Sequence, residues 1–189
     1  MPFRVCSWLT FFMRQTIENY TPQTLLPRLK KQARTVWGVS FAVVFAWVSL
    51  ILLAPLTVDN LNGFSASVYN FFSFFCHQQP ERSFHFAWHP FAVCSRCFGV
   101  YFGLFGGFLA YPVFRRLEDV EPLPRLWLFL AMIPIGIDWT LGVFDVWSNT
   151  HLSRFITGAI LGAACAIYIV PALVEIFRLM LNKTKYQNK

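Results

Sequence analysis

Four long apolar stretches, separated by shorter polar ones, dominate the chain. The first runs from about Val36 to Leu56 and holds no charged residue. The others run from about Phe91 to Phe114, Leu126 to Phe144 and Phe155 to Phe177. Each is close to the roughly 20 residues a helix needs to cross the hydrocarbon core of a bilayer. Period-two alternation, the mark of a half-buried strand, is absent. The pattern predicts an all-α fold, an integral membrane four-helix bundle with spans at 36–56, 91–114, 126–144 and 155–177. One transmembrane domain over 36–181 accounts for these stretches, with a tail over 182–189.

The longest connection, residues 57–90, contains the apolar and aromatic run Ser65 to Phe75. That run predicts a re-entrant or interfacial helix on the outer side. Ahead of the first span, Trp8 to Met13 is apolar between Arg4 and Arg14 and suits a short helix on the cytoplasmic surface. Pro22 and Pro27 are expected to break the chain before the basic run Lys30, Lys31 and Arg34. Residues 1–35 therefore read as a cytoplasmic, partly interfacial tail. No secretory signal peptide is expected, because this stretch lacks an unbroken apolar core and a small-residue cleavage site.

Composition agrees with a bilayer. Of the 189 residues 56% are apolar and 13% charged, about half the charge fraction of a soluble domain. The 22 Phe and 7 Trp suit side chains that meet lipid and headgroups. A net charge of +7 could indicate nucleic acid, but the charges lie along the flanks of the spans. Six basic residues precede the first span, three (Arg115, Arg116, Arg125) join the second and third, and four (Arg178, Lys183, Lys185, Lys189) follow the fourth. The positive-inside rule assigns these to the cytoplasm, with both termini. No nucleic-acid partner is expected. A channel is not expected either, since a lone Asp and a Gly-packed seam do not line a pore.

Arg82, Arg96 and Arg154 go against that rule and fall on the outer side. So do all four His (His77, His85, His89, His151) and three of the five Cys. Cys94 and Cys97 stand three apart at a helix start, so their sulfurs share a face. The helix N-terminus and Arg96 both favour thiolate there. With Cys76 and a histidine they make up a set of three cysteines and one histidine, suited to tetrahedral zinc. His77 is the first choice for the fourth ligand, with His85 or His89 as alternatives, because adjacent residues rarely share one metal. A structural account is equally available: a disulfide or a closed zinc staple holding the loop to the bundle. Tyr101, one turn below Cys97, shares its face. Cys6 and Cys165 read as ordinary small side chains.

Gly99, Gly103 and Gly107 are four apart, as are Gly158, Gly162 and Ala166. Such small-residue seams let helices approach closely in lipid, so the second and fourth spans are expected to pack together and bring Arg96 near Arg154. Asp138 is an ionisable group inside the third span, where such groups usually face the protein interior. It is expected to pair with Arg96 or Arg154, either structurally or to bind a polar headgroup or relay a proton. Pro134, four residues before it, frees a carbonyl and favours a kink. Glu175 is expected to pair with Arg178 one turn on. Ser148 or Asn149 can cap the fourth helix.

Four blocks, in order, resemble one family. They are Cys-His-x-x-Pro-x-Arg-Ser from Cys76, Cys-x-Arg-Cys-x-Gly-x-Tyr-x-Gly from Cys94, Asp138, and Ser-Asn-x-x-x-x-Arg-x-x-Thr-Gly-x-x-x-Gly from Ser148. The family is a group of prokaryotic membrane proteins catalogued as a domain of unknown function, family twenty eighty-five. The resemblance covers roughly residues 66–165. It implies a multi-pass bacterial or archaeal membrane protein, with a bacterial inner membrane as the expected setting. It supports the same site residues without naming a reaction.

Three functions compete. The first is a metal protein: Cys76, His77, Cys94 and Cys97 hold zinc beside a pocket formed by Arg82, Arg96, Asp138 and Arg154, with Tyr101 nearby. An open metal position would make it a membrane hydrolase or transferase. The second is a thiol–disulfide oxidoreductase, similar to the quinone-linked disulfide-generating enzymes, with Cys76 as relay partner. Those enzymes use two cysteine pairs, whereas the third outer cysteine here has no mate, and they have no counterpart to the His, Asp138 and Arg154 group. The third is a non-enzymatic subunit of a larger membrane complex, or a homo-oligomer. The expected ligands are accordingly the lipid bilayer and a lipid or quinone.

Overall fold

The computed structural model describes residues 26–119, 121, 123–144 and 149–187. Trp8 to Met13, Cys6, Pro22 and Ser148 lie outside the described residues. Five α-helices are present among the described residues: α1 (Leu26–Leu56), α2 (Asn62–Ser73), α3 (Ser95–Phe114), α4 (Leu126–Val143) and α5 (His151–Gln187). All except α2 are long and apolar enough to cross a membrane. The protein is an all-α membrane bundle, as the apolar pattern predicts.

Two spans are longer than their apolar stretches. Helix α1 begins at Leu26, so Pro27 opens the helix instead of breaking the chain. In the first turn a proline's missing N–H costs no hydrogen bond. Arg, Lys, Gln and Ala then carry the helix through the basic run by their own propensity. At 1.5 Å per residue its 31 residues extend about 46 Å, well beyond a core of about 30 Å. Helix α5 likewise starts at His151 and runs to Gln187. Its cap is Thr150, whose Oγ1 accepts the N–H of Ser153 at 3.1 Å, and not Asn149.

The second span starts later than its apolar stretch, at Ser95. Phe91 to Val93 stay non-helical, with Ala92 and Val93 fully buried. The Phe91 N–H donates to the Phe84 carbonyl at 2.7 Å and holds them extended. A short hairpin precedes them, pairing His85 with Pro90 and Phe86 with His89 in antiparallel register. This pair of two-residue strands lies in the connection and leaves the all-α architecture unchanged. Its turn residues Ala87 and Trp88 both have positive φ, the geometry of the tight hairpin turn that matches strand twist.

Helix α2 doubles back along α1. Ser65, Val68 and Phe72 form its buried stripe, spaced as one helical face requires. Ser65 Oγ–H donates to the Ala54 carbonyl at 2.8 Å, and Phe72 and Phe75 pack edge-on to Trp47 at 5.1 and 5.5 Å. Ala54 to Trp47 is about 10 Å of helix rise, so α2 descends beside α1 in the manner of a re-entrant helix.

Helices α3 and α5 form the central pair. A Cβ added at Gly103 would meet the Ala159 backbone, and one at Gly162 the Val100 backbone. Gly99 faces Phe155 and Gly158 faces Arg96 in the same way, while Gly107 abuts Ala166. The expected seam is therefore present, and only glycine allows backbones this close. Helix α4 is peripheral: Asp138 is its only buried residue. It continues through Pro134 without a break. Toward the C-terminal end of α5 Arg178 donates to the Glu118 carbonyl at 3.2 Å, instead of pairing with Glu175, and Lys30 lies 3.6 Å from the Glu118 carboxylate.

Candidate functional site

The N-terminal ends of α3 and α5, the C-terminal end of α4 and the segment after α2 enclose a cavity of about 720 Å³. Cys76 follows α2 directly, its N–H bonded to the Phe72 carbonyl at 2.9 Å. Cys94 caps α3 and Cys97 lies in its first turn. The three sulfurs lie within 4.8 Å of one another. Around a tetrahedral ion with metal–sulfur bonds of about 2.3 Å, sulfurs stand about 3.8 Å apart. The group is thus close to the size a metal would impose.

Local bonding positions and polarises these sulfurs. The backbone N–H of Cys94 donates to the Cys76 sulfur at 3.2 Å. The thiols of Cys94 and Cys97, with backbone N–H groups of Cys94 and Gln78, hold the Cys76 thiol well below the ordinary thiol range. Gln78 was not evident as a site residue from sequence. Its amide donates to the Tyr69 carbonyl at 2.6 Å and the Ala92 carbonyl at 2.8 Å, tying α2 to the start of α3. Gln78 has φ 48, a left-handed backbone rare outside glycine and a sign of a locally constrained chain.

No histidine joins the sulfur group among the described residues. His77 lines the cavity but stands apart from the three sulfurs. His85 is exposed in the hairpin. His89 lies 3.6 Å from Asp59, and His151 packs against the Phe84 ring at 5.8 Å. The expected set of three cysteines and a histidine is therefore a set of three cysteines alone, facing a cavity. Cys76 and His77 both line the cavity, but adjacent side chains leave the backbone in different directions, and only the Cys76 sulfur reaches Cys94 and Cys97. Tyr101 does not line the cavity; its ring packs edge-on to Trp47 at 5.7 Å. Cys165 lies elsewhere, half-buried in α5.

The arginines converge as their unusual placement suggests. Arg82, Arg96 and Arg154 all line the cavity. Ser95 Oγ–H donates to the Arg82 carbonyl at 2.9 Å and fixes the turn Pro80–Arg82 against α3. Arg96 Nη2 donates to Asp138 Oδ2, an ion pair between α3 and α4. Asp138 Oδ1 accepts the Ser153 hydroxyl at 3.0 Å, and the Asp138 carbonyl accepts the Asn149 amide. Arg154 makes no ion pair among the described residues, and its charged neighbours include Arg82, Arg96 and Asp138. Ser153 was missed by sequence; a polar residue just before Arg154 on an otherwise apolar helix was the available signal.

The model of a family described as predicted membrane proteins (DUF2085) matches residues 76–168. A protein of Methanocaldococcus jannaschii is 39% identical over 112 residues, 59% of this chain and 71% of that one. A protein of Methanothermobacter thermautotrophicus is 36% identical over 97 residues, 51% of this chain and 85% of that one. The chain belongs to this family. The matched region contains the three cysteines, the three arginines and Asp138. Both relatives carry names without a function, and both are archaeal, which corrects the expectation of a bacterial setting. No solved structure matches the chain.

Proposed function

We propose that this membrane protein binds zinc through Cys76, Cys94 and Cys97 and presents the ion to an anionic substrate in the arginine-lined cavity, as a membrane hydrolase or transferase. The observation that carries the reading is the position of three sulfurs, within 4.8 Å of one another, in the wall of a cavity that also holds Arg82, Arg96 and Arg154. Three protein ligands with an open fourth position is the arrangement of catalytic zinc sites, in which the ion polarises a bound water or oxygen. Charge supports an anion. Zinc with three thiolates carries one net negative charge, whereas the three arginines with Asp138 carry two net positive charges. The cavity therefore stays positive with the metal in place. Guanidinium groups suit carboxylate and phosphate oxygens.

The deciding experiment measures metal per chain, with thiols counted under denaturing conditions, in detergent-purified protein and in Cys94→Ser. One zinc per chain, lost in the variant, is the expected result. A metal-free protein with two outer cysteines missing from the thiol count would establish the second reading, thiol–disulfide exchange with a quinone. That reading draws on the same adjacency of three sulfurs.

We place the protein in the cytoplasmic membrane with both termini inside, on the distribution of basic residues. A cytoplasm-dependent fluorescent reporter fused to either terminus should light up. Darkness at both ends would reverse the orientation.

A further inference from the structure

We infer that the ligand of this site is an anionic amphiphile, its phosphate-like head in the arginine-lined cavity and its hydrocarbon chain in an apolar groove between α4 and α5. The inference rests on the anion pocket of the reading above and does not depend on the metal.

A second cavity of about 370 Å³ lies beside the first. Ile133, Pro134, Ile137 and Leu141 of α4 form one wall, and Thr157 of α5 belongs to the other. Asn149 lines both cavities, and Asp138, which lines the groove, is bonded to Arg96, which lines the first cavity. The two spaces thus meet at the Arg96–Asp138–Asn149 junction. From Leu141 to Ile133 the groove follows α4 inward for about 12 Å of helix rise. Of its α4 wall, Ile133, Ile137 and Leu141 are exposed on the outside of the bundle. A chain can therefore enter from the bilayer while its head reaches the polar cavity.

The polar end has unmet bonding capacity. The Arg82 and Arg154 side chains have no acceptor among the described residues. Arg96 Nε and Asn149 Oδ1 are buried without a partner, a costly state unless a ligand or water completes it. No carboxylate lines the first cavity among the described residues. A soluble anion would use the arginines and leave the groove idle. A neutral lipid would do the reverse. An amphiphile with an anionic head uses both.

The test is isothermal titration of the full chain in neutral maltoside micelles, with inorganic phosphate and dodecyl phosphate as probes. Burying two methylenes is already enough for about tenfold in affinity. Dodecyl phosphate should therefore bind at least about tenfold tighter than phosphate. Leu141→Trp, which fills the groove, should bring dodecyl phosphate down to the phosphate level and leave phosphate binding unchanged. Micelle partitioning of the probe is the same for both proteins and cancels. Ile137→Trp serves as a second groove variant should Leu141→Trp fail to fold. Arg82→Gln with Arg154→Gln should weaken both probes at least about tenfold.

Equal binding of the two probes, unaffected by either tryptophan, would identify a free anion as the ligand and overturn the inference. So would dodecyl phosphate binding that ignores the arginine substitutions, or a folded protein that binds neither probe. The same titrations on zinc-free Cys94→Ser keep the two readings apart. Amphiphile binding that survives there, with no zinc in the parent protein, removes the metal reading alone.

Discussion

Replacing Asp138 by alanine removes the only buried side chain of α4 and strands Arg96 at the edge of the cavity. The carboxylate holds the Arg96 guanidinium on one oxygen and the Ser153 hydroxyl, at 3.0 Å, on the other. Breaking a buried pair by deleting one partner costs about 3–5 kcal/mol, mostly because the other charge is left uncompensated. Arg96 remains 23% exposed beside a polar cavity, against 9% for Asp138. Water reaching the orphaned guanidinium therefore lowers the expected loss to about 2–3 kcal/mol. Asp138→Asn retains an acceptor for Ser153 and should cost less. Removing both charges with Arg96→Met and Asp138→Leu leaves no orphan and should cost under about 1 kcal/mol. The assay is a double-mutant cycle on reversible unfolding in detergent, with hydrogen exchange in α4 as the local readout. A coupling below about 0.5 kcal/mol, meaning that the single losses simply add, would refute the argument that this pair tethers α4.

Gly103→Ala should destabilise by about 1–3 kcal/mol, because its methyl meets the Ala159 backbone. Gly106→Ala, with nothing within 4 Å, should be neutral or stabilise by up to about 1 kcal/mol; thermal midpoints in detergent separate the two. Gln78→Gly relieves a left-handed backbone but removes two bonds across the cysteine segment, so zinc retention against a competing chelator should fall while global stability changes little. Phe72→Ala empties a fully buried site between α1 and α2 and should lower stability by about 3–5 kcal/mol in the same unfolding assay.

The site was partly legible because its components carry local signals. Departure from the positive-inside pattern pointed to Arg82, Arg96 and Arg154, and a charge inside a span pointed to Asp138. Helical spacing alone put Cys94 and Cys97 on one face. His77 stands apart from the three sulfurs, and adjacency to Cys76 in the sequence carries no signal of that. Gln78 and Ser153 gave weak signals, because neither residue type is unusual where it stands. Their importance comes from carbonyls and a carboxylate delivered by other elements.

By itself the sequence determined the four spans, the gathering of Arg82, Arg96 and Arg154 and the α3–α5 seam. These depend on segment length, charge and spacing within one helix, and hydration and backbone geometry act on them locally. Hydropathy could not show that α1 and α5 outrun the hydrocarbon core, since helix propensity continues where apolarity stops. Only the tertiary structure decided that Arg96 and not Arg154 takes Asp138, that α2 returns along α1 to deliver Cys76 beside Cys94 and Cys97, and that a groove opens beside the arginines. Each of these follows from the relative depth and rotation of separate helices, which the packing of glycine against backbone and of charge against charge fixes jointly.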